Sequence, residues 1–133
     1  VFMPRARGEA PVPCGGFETT RLALLEAELF TGRRHQIRRH LKWLSHPIIG
    51  DATYGKGPLN RALAEWFGVE RLMLHCTRMA LPHPVTGETV DIRAPLAEGA
   101  LGTALEKLGF LEAFEALMNA PWGEPPSDMP VLE

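Results

Sequence analysis

The sequence predicts an α+β fold, a mixed and mainly antiparallel sheet with flanking helices. Three patterns carry that expectation. Residues 33–46, RRHQIRRHLKWLSH, place Ile37, Leu41 and Leu44 at i, i+4 and i+7, which is one helical stripe. Residues 71–81 and 88–93 alternate apolar with polar side chains around His83-Pro84 and Thr86-Gly87, the pattern of a β-hairpin. Leu101, Leu105, Leu108 and then Leu111 or Phe114 mark a terminal helix with a break at Gly109. A chain of 133 residues, 45% hydrophobic and 23% charged, fits one ordinary soluble domain.

Taken in order, residues 1–18 are rich in Pro, Gly and Ala without periodicity. They read as a tail, or as a connection to upstream sequence. Residues 19–30, TTRLALLEAELF, are short and stop at Thr31-Gly32, which favours a strand. Leu, Ala and Glu are weak strand formers, so propensity alone also allows a helix there. The basic helix of residues 33–46 has Thr31 as its expected cap and Pro47 as its stop. Gly50-Asp51 and Tyr54-Gly55-Lys56-Gly57-Pro58 read as turn and loop. Asn60 is the expected cap of a short helix through Phe67, ended by Gly68. Residues 121–133 are Pro-rich and polar and read as a disordered tail. The first residue is Val1 rather than Met, which points to a piece of a longer or processed product.

Several classes are excluded at this level. No apolar run approaches the ~18 residues of a membrane span, and no basic-then-apolar start marks a secretory signal. Cys14 and Cys76 form no CxxC pair, so a disulfide scaffold or zinc ribbon is not expected and a reducing cytoplasm fits. His35 and His40 are five apart and do not share a helix face as an i, i+4 pair would. His75, Cys76 and His83 would need several coincidences to build a metal site, so hydrogen-bonded structural histidines are expected instead. No G-x-S-x-G, Walker A or G-x-G-x-x-G occurs.

The net charge of −2 hides an uneven distribution. Residues 29–50 hold Arg33, Arg34, Arg38, Arg39 and Lys42 and no acid, whereas residues 51–133 carry twelve acids against six bases. A basic island in an acidic chain is a candidate polyanion site; the competing reading is a solvated face with acidic partners from elsewhere. Arg38 flanks the apolar stripe and so calls for a carboxylate or phosphate. Arg33, at the first turn, is placed for a phosphate. Asp51 and Asp91 are the central acids, and Asp51 in its turn reads as structural, accepting local N–H groups. Trp43 has two readings, stacking on a base or packing, and packing is favoured.

The run Thr31-Gly32-Arg33-Arg34-His35-Gln36-Ile37-Arg38-Arg39-His40-Leu41, followed by His46-Pro47-Ile48-Ile49-Gly50-Asp51 and Tyr54-Gly55, resembles the third sequence motif of the RluA-type pseudouridine synthases. Arg71-Leu72-Met73-Leu74-His75 with His83-Pro84-Val85-Thr86-Gly87-Glu88 resembles the last hairpin of the same catalytic domain. The resemblance covers residues 20–120 or so. It implies isomerisation of uridine to pseudouridine in RNA, in the cytoplasm, without cofactor, metal or membrane. The doubled arginine after Gln36-Ile37, the Ser45-His46-Pro47-Ile48-Ile49 stretch and the Leu59–Glu70 insert look most like a member of the family that acts on transfer RNA, and that resemblance implies transfer RNA as the substrate. In that chemistry an aspartate attacks the nucleoside, the base turns and rejoins through carbon, and a tyrosine helps remove the displaced proton. The resemblance makes Arg38 the partner of the nucleophilic aspartate, which it keeps ionised. It gives Arg33, Arg34, His35, Gln36, Arg39 and Lys42 to RNA binding.

The nucleophile motif, His-Arg-Leu-Asp followed by Thr-x-Gly, is absent from the chain. Neither Asp51 nor Asp91 has its context, and the family's tyrosine motif lies upstream, so Tyr54 receives no role. Residues 19–120 therefore look like the carboxy-terminal part of the catalytic domain, inactive alone. Its open face would be covered by the amino-terminal half or by self-association. The alternative is a noncatalytic RNA-binding module. A DNA-binding helix-turn-helix is disfavoured by the strand-like segment before the basic helix.

Overall fold

The computed structural model describes residues 2–29, 33–94 and 99–119. The described elements run β1 (Phe2–Ala10), β2 (Thr20–Ala27), α1 (Gln36–Trp43), α2 (Gly57–Phe67), β3 (Arg78–Pro82), β4 (Thr89–Arg93), α3 (Ala100–Leu108) and α4 (Leu111–Asn119). The α+β expectation holds. Its single sheet does not: among the described residues there are two separate two-stranded antiparallel sheets, β1–β2 and β3–β4.

The largest correction lies at the start. Residues 2–10, expected as tail, form the strand β1, paired with β2 from Phe2↔Ala27 to Ala10↔Thr20. The signal was Gly15-Gly16. Both glycines have positive φ, 53° and 89°, and Cys14 and Phe17 exchange both backbone hydrogen bonds around them. Two successive positive-φ residues make the mirror-image turn that matches strand twist, and Gly-Gly supplies it without Cβ strain. Cross-strand pairing of Arg5 with Glu26 and the bond from Thr20 Oγ1 to the Val12 carbonyl, 2.7 Å, tie the hairpin together.

One face of this hairpin seats the helices. Ala10 and Val12 are buried with Leu63 and Phe67 of α2 and Ala104 of α3. Ala6 and Leu24 pack beside Leu101, Leu105, Phe110 and Phe114. Burial of such side chains removes apolar area worth about 25 cal/mol per Å². Helices α3 and α4 are separate because Gly109, at φ 75°, caps the first and turns the chain, as expected.

Helix α2 starts at Gly57, not Asn60. Lys56 is its N-cap, and Pro58 in the first turn costs nothing there because that N–H is unpaired in any helix. It ends at Gly68, as expected. The expected strand from Arg71 shrinks to Arg78–Pro82. Residues 71–77 instead cross the molecule: Met73 N–H bonds the Ile49 carbonyl at 2.9 Å, and Arg71 folds back on the Leu72 and Leu74 carbonyls. The proposed Thr31 cap and the 121–133 tail lie outside the described residues. No described helix is long and apolar enough to cross a membrane.

Candidate nucleic-acid interface and its Arg38–Asp51 frame

Helix α1 begins later than the sequence pattern indicated. Its N-cap is His35, in the left-handed conformation at φ 54°, ψ 28°, and no side chain caps it. His is among the non-glycine residues that tolerate this region. Leu41 is buried and Ile37 and Leu44 are half-buried, so the predicted stripe faces inward. Arg33, Arg34, Arg39 and Lys42 are exposed. Among the described residues no carboxylate forms an ion pair with any of these four. The competing reading of the basic island, a face neutralised by acids from elsewhere in the fold, therefore fails for the described part. Gln36 accepts the Arg33 backbone N–H at 3.1 Å, which fixes the chain entering the helix.

Arg38 differs from its neighbours. Its Nε and Nη2 donate to Asp51 Oδ2 and Oδ1, each at 2.8 Å, a bidentate pair. The Asp51 side chain is fully shielded and that of Arg38 is 18% exposed. Asp51 Oδ1 also accepts the Thr53 and Tyr54 backbone N–H groups, both at 3.0 Å. The Arg38 hydrogen bond, followed by these backbone bonds and the Arg38 charge, holds the Asp51 carboxyl well below the usual carboxylate range against its burial. The same hydrogen bond raises Arg38 above an ordinary arginine. Asp51 is thus structural, as its turn position indicated. The buried carboxylate that Arg38 needs lies within this chain, and an external one is no longer demanded by its charge balance.

The loop around Asp51 is clamped from α2. Asn60 Oδ1 accepts the Gly50 N–H and Asn60 Nδ2 donates to the Asp51 carbonyl, both at 3.0 Å. Gly50 has φ 82°, and a Cβ there would stand 1.8 Å from the Arg71 carbonyl oxygen. That position admits glycine alone. The sequence pattern offers Asn60 as a helix cap; the clamp has no local signal, because an amide one turn into a helix that also carries Arg61 and Glu65 is ordinary.

The frame also positions Tyr54. The Arg38 guanidinium lies over its ring at 5.2 Å and the Lys42 ammonium at 5.9 Å. Its hydroxyl is 3.2 Å from His35 Nδ1, in hydrogen-bond contact. Burial first, then the Arg38 and Arg34 charges, lower His35 below an ordinary histidine, so it is neutral near pH 7. His35, Arg38, Lys42 and Tyr54 therefore form one polar cluster at the edge of the cationic face.

The remaining sequence candidates are placed elsewhere. Trp43 is 90% exposed, so the favoured packing reading is overturned: its position on α1 points away from the stripe that Leu41 buries. Asp91 pairs with Arg78 at 2.9 Å across the β3–β4 hairpin. His75 Nε2 contacts the Ala94 carbonyl at 2.8 Å and His83 Nδ1 accepts the Val85 and Thr86 N–H groups, so both are structural histidines as expected. Among the described residues no three His, Cys, Asp or Glu side chains gather as a metal site, and both cysteines are free thiols.

The motif run from Arg33 to Gly55 is thus one folded unit, and over most of its length the chain is similar in sequence to curated pseudouridine synthases. Its relatives carry a particular name, tRNA pseudouridine synthase C. The one from Vibrio cholerae is 44% identical over 120 residues, covering 90% of this chain and 48% of the relative. That from Salmonella typhi is 52% identical over 90 residues, 68% of this chain and 35% of the relative. That from Yersinia pestis is 47% identical over 89 residues, 67% and 35%. The chain spans about half or less of these relatives' lengths. No protein-family model matches it.

Proposed function

We propose that this chain is the carboxy-terminal part of the catalytic domain of an RNA pseudouridine synthase acting on transfer RNA in the cytoplasm. The observation that carries the reading is the 44% identity to a tRNA pseudouridine synthase C over 90% of the chain. The geometry supports it. Helix α1 and the turn that enters it display Arg39 and Lys42, and Arg33 and Arg34, with no acidic ion-pair partner among the described residues, which suits RNA phosphates. His35 and Gln36 hold the entrance of that helix, where the RNA backbone would pass.

In the proposed reaction an aspartate outside this chain attacks the uridine nucleoside, and the glycosidic bond breaks. The base turns and bonds through carbon, and the proton on that carbon leaves to a base. Uridine and pseudouridine are isomers, so no cofactor is consumed. Arg38 spends its Nε–Nη2 edge on Asp51 and has N–H groups left for a second carboxylate. The resemblance to the family, not the charge of Arg38, assigns that second partner to the nucleophile. The amino-terminal part of the domain, or a second copy of the chain, would cover the remaining face.

The test uses RNA tritiated at the carbon that forms the new bond, with release to water as readout. The longer protein containing the nucleophile motif should release tritium, and the 133-residue chain alone should not. Release by the chain alone would sink the division of labour. RNA binding without release by the longer protein would leave a noncatalytic RNA-binding module. Arg38→Lys keeps the charge but loses the bidentate geometry; the rate should collapse while RNA affinity stays within about two-fold. A loss of affinity with the salt slope reduced by about one would make Arg38 a phosphate contact instead.

A further inference from the structure

The exposed apolar side chains are not equivalent. Phe17 is followed by Glu18, Val85 sits near Glu88, and Met79 and Ile92 face each other beside Asp91. Trp43 is the most exposed of them at 90%, and it lies well inside the acid-free stretch, whereas Leu29 stands at its edge beside Glu28. Arg39 and Lys42 stand at i−4 and i−1 from it. The first shares its helical face, and the second flanks that face. All three are exposed, and His46 follows, exposed, just beyond the helix end. A large flat ring flanked by cations complements a ligand that is both polyanionic and aromatic. Unpaired nucleic acid is that ligand: its bases stack and its phosphates neutralise.

We propose that Trp43, with Arg39 and Lys42, forms a stacking site for an unpaired nucleobase of the RNA. The inference rests on the RNA reading above and deepens it. The site does not take the reacting nucleotide. Trp43 lies five residues beyond Arg38, about 140° further round the helix and about 7.5 Å along its axis. The base on Trp43 therefore belongs to a flanking nucleotide, and its stacking fixes the register in which the RNA crosses α1.

The experiment compares binding of this chain to three probes: an unstructured oligouridine, an RNA duplex and inorganic polyphosphate. Trp43→Ala should weaken oligouridine about ten-fold, in line with stacking losses of other single-strand binders, and leave polyphosphate unchanged. Trp43→Phe should keep affinity within about three-fold. Oligouridine should quench the wild-type tryptophan fluorescence more than that of Trp43→Phe. Unchanged melting of both variants is expected, because the side chain packs on little. Three results overturn the proposal: oligouridine affinity unchanged in Trp43→Ala, equal losses for oligouridine and polyphosphate, or a wild-type self-association that Trp43→Ala abolishes at constant RNA affinity. If the wild-type chain binds no RNA at all, the RNA reading of this face fails and the stacking site with it. If it binds and only Trp43→Ala is neutral, the stacking site fails alone.

Discussion

Two arginine–aspartate pairs in this molecule have the same chemistry and the same sequence separation, thirteen residues, yet different work. Arg38 and Asp51 meet at 2.8 Å and Arg78 and Asp91 at 2.9 Å. The Asp51 side chain is 0% exposed and that of Asp91 38%. Asp51 joins a helix to a loop and also accepts two backbone N–H groups. Asp91 bridges two strands already in register and shares its oxygen with Arg93. Distance alone therefore says nothing about importance. What matters is whether the loss of one partner leaves the other dry and unpaired.

Four measurements sharpen or break that contrast. The largest effect should be Asp51→Asn: removing one partner of a buried pair costs about 3–5 kcal/mol, read as a denaturant midpoint shift. An effect indistinguishable from that of Asp91→Asn would end the distinction. Next comes Asn60→Ala, which leaves the Gly50 N–H and the Asp51 carbonyl without their side-chain partner and should cost about 1–3 kcal/mol. If urea unfolding of Asn60→Ala matched wild type, the clamp on the Asp51 loop would be idle.

The third is acid unfolding. Asp51 titrates far lower folded than unfolded, so its stabilisation is full above the unfolded value, about pH 4, and is lost as pH falls towards the folded one. The acid limb of wild type should be steep there and flatten in Asp51→Asn. Asp91 is lowered too, chiefly by the Arg78 hydrogen bond, but solvent screens it, and Asp91→Asn should leave the limb almost as steep. The smallest effect is the stability of Asp91→Asn at neutral pH, expected within the scatter of replicate melts. A large loss there would show that the hairpin depends on its surface charges.

Much of the architecture was legible because its signals are local. The stripe of Ile37, Leu41 and Leu44, the breaks at Gly68 and Gly109 and the alternation of Val90 and Ile92 each act within a few residues. Strand β1 was missed although Gly15-Gly16 marked its turn, because Pro4 and the small residues around it dilute the apolar pattern. Residues 71–77 have the pattern of a strand, but among the described residues backbone pairing with the hairpin reaches no further than the Thr77 carbonyl, which accepts the Ala94 N–H; the Met73 N–H is met by the Ile49 carbonyl and the Leu72 carbonyl by Arg71.

The sequence by itself determined the α+β class, the acid-free basic helix, the family motif and the need of Arg38 for an anionic partner. These are properties of composition and short periodicity, which no packing can alter. Tertiary structure alone decided which carboxylate Arg38 receives, that Asn60 clamps a loop rather than caps a helix, and that Trp43 faces outward. Those outcomes depend on which elements meet in space. A helix flank, an amide or an indole reads the same in sequence whether its neighbour is protein or water.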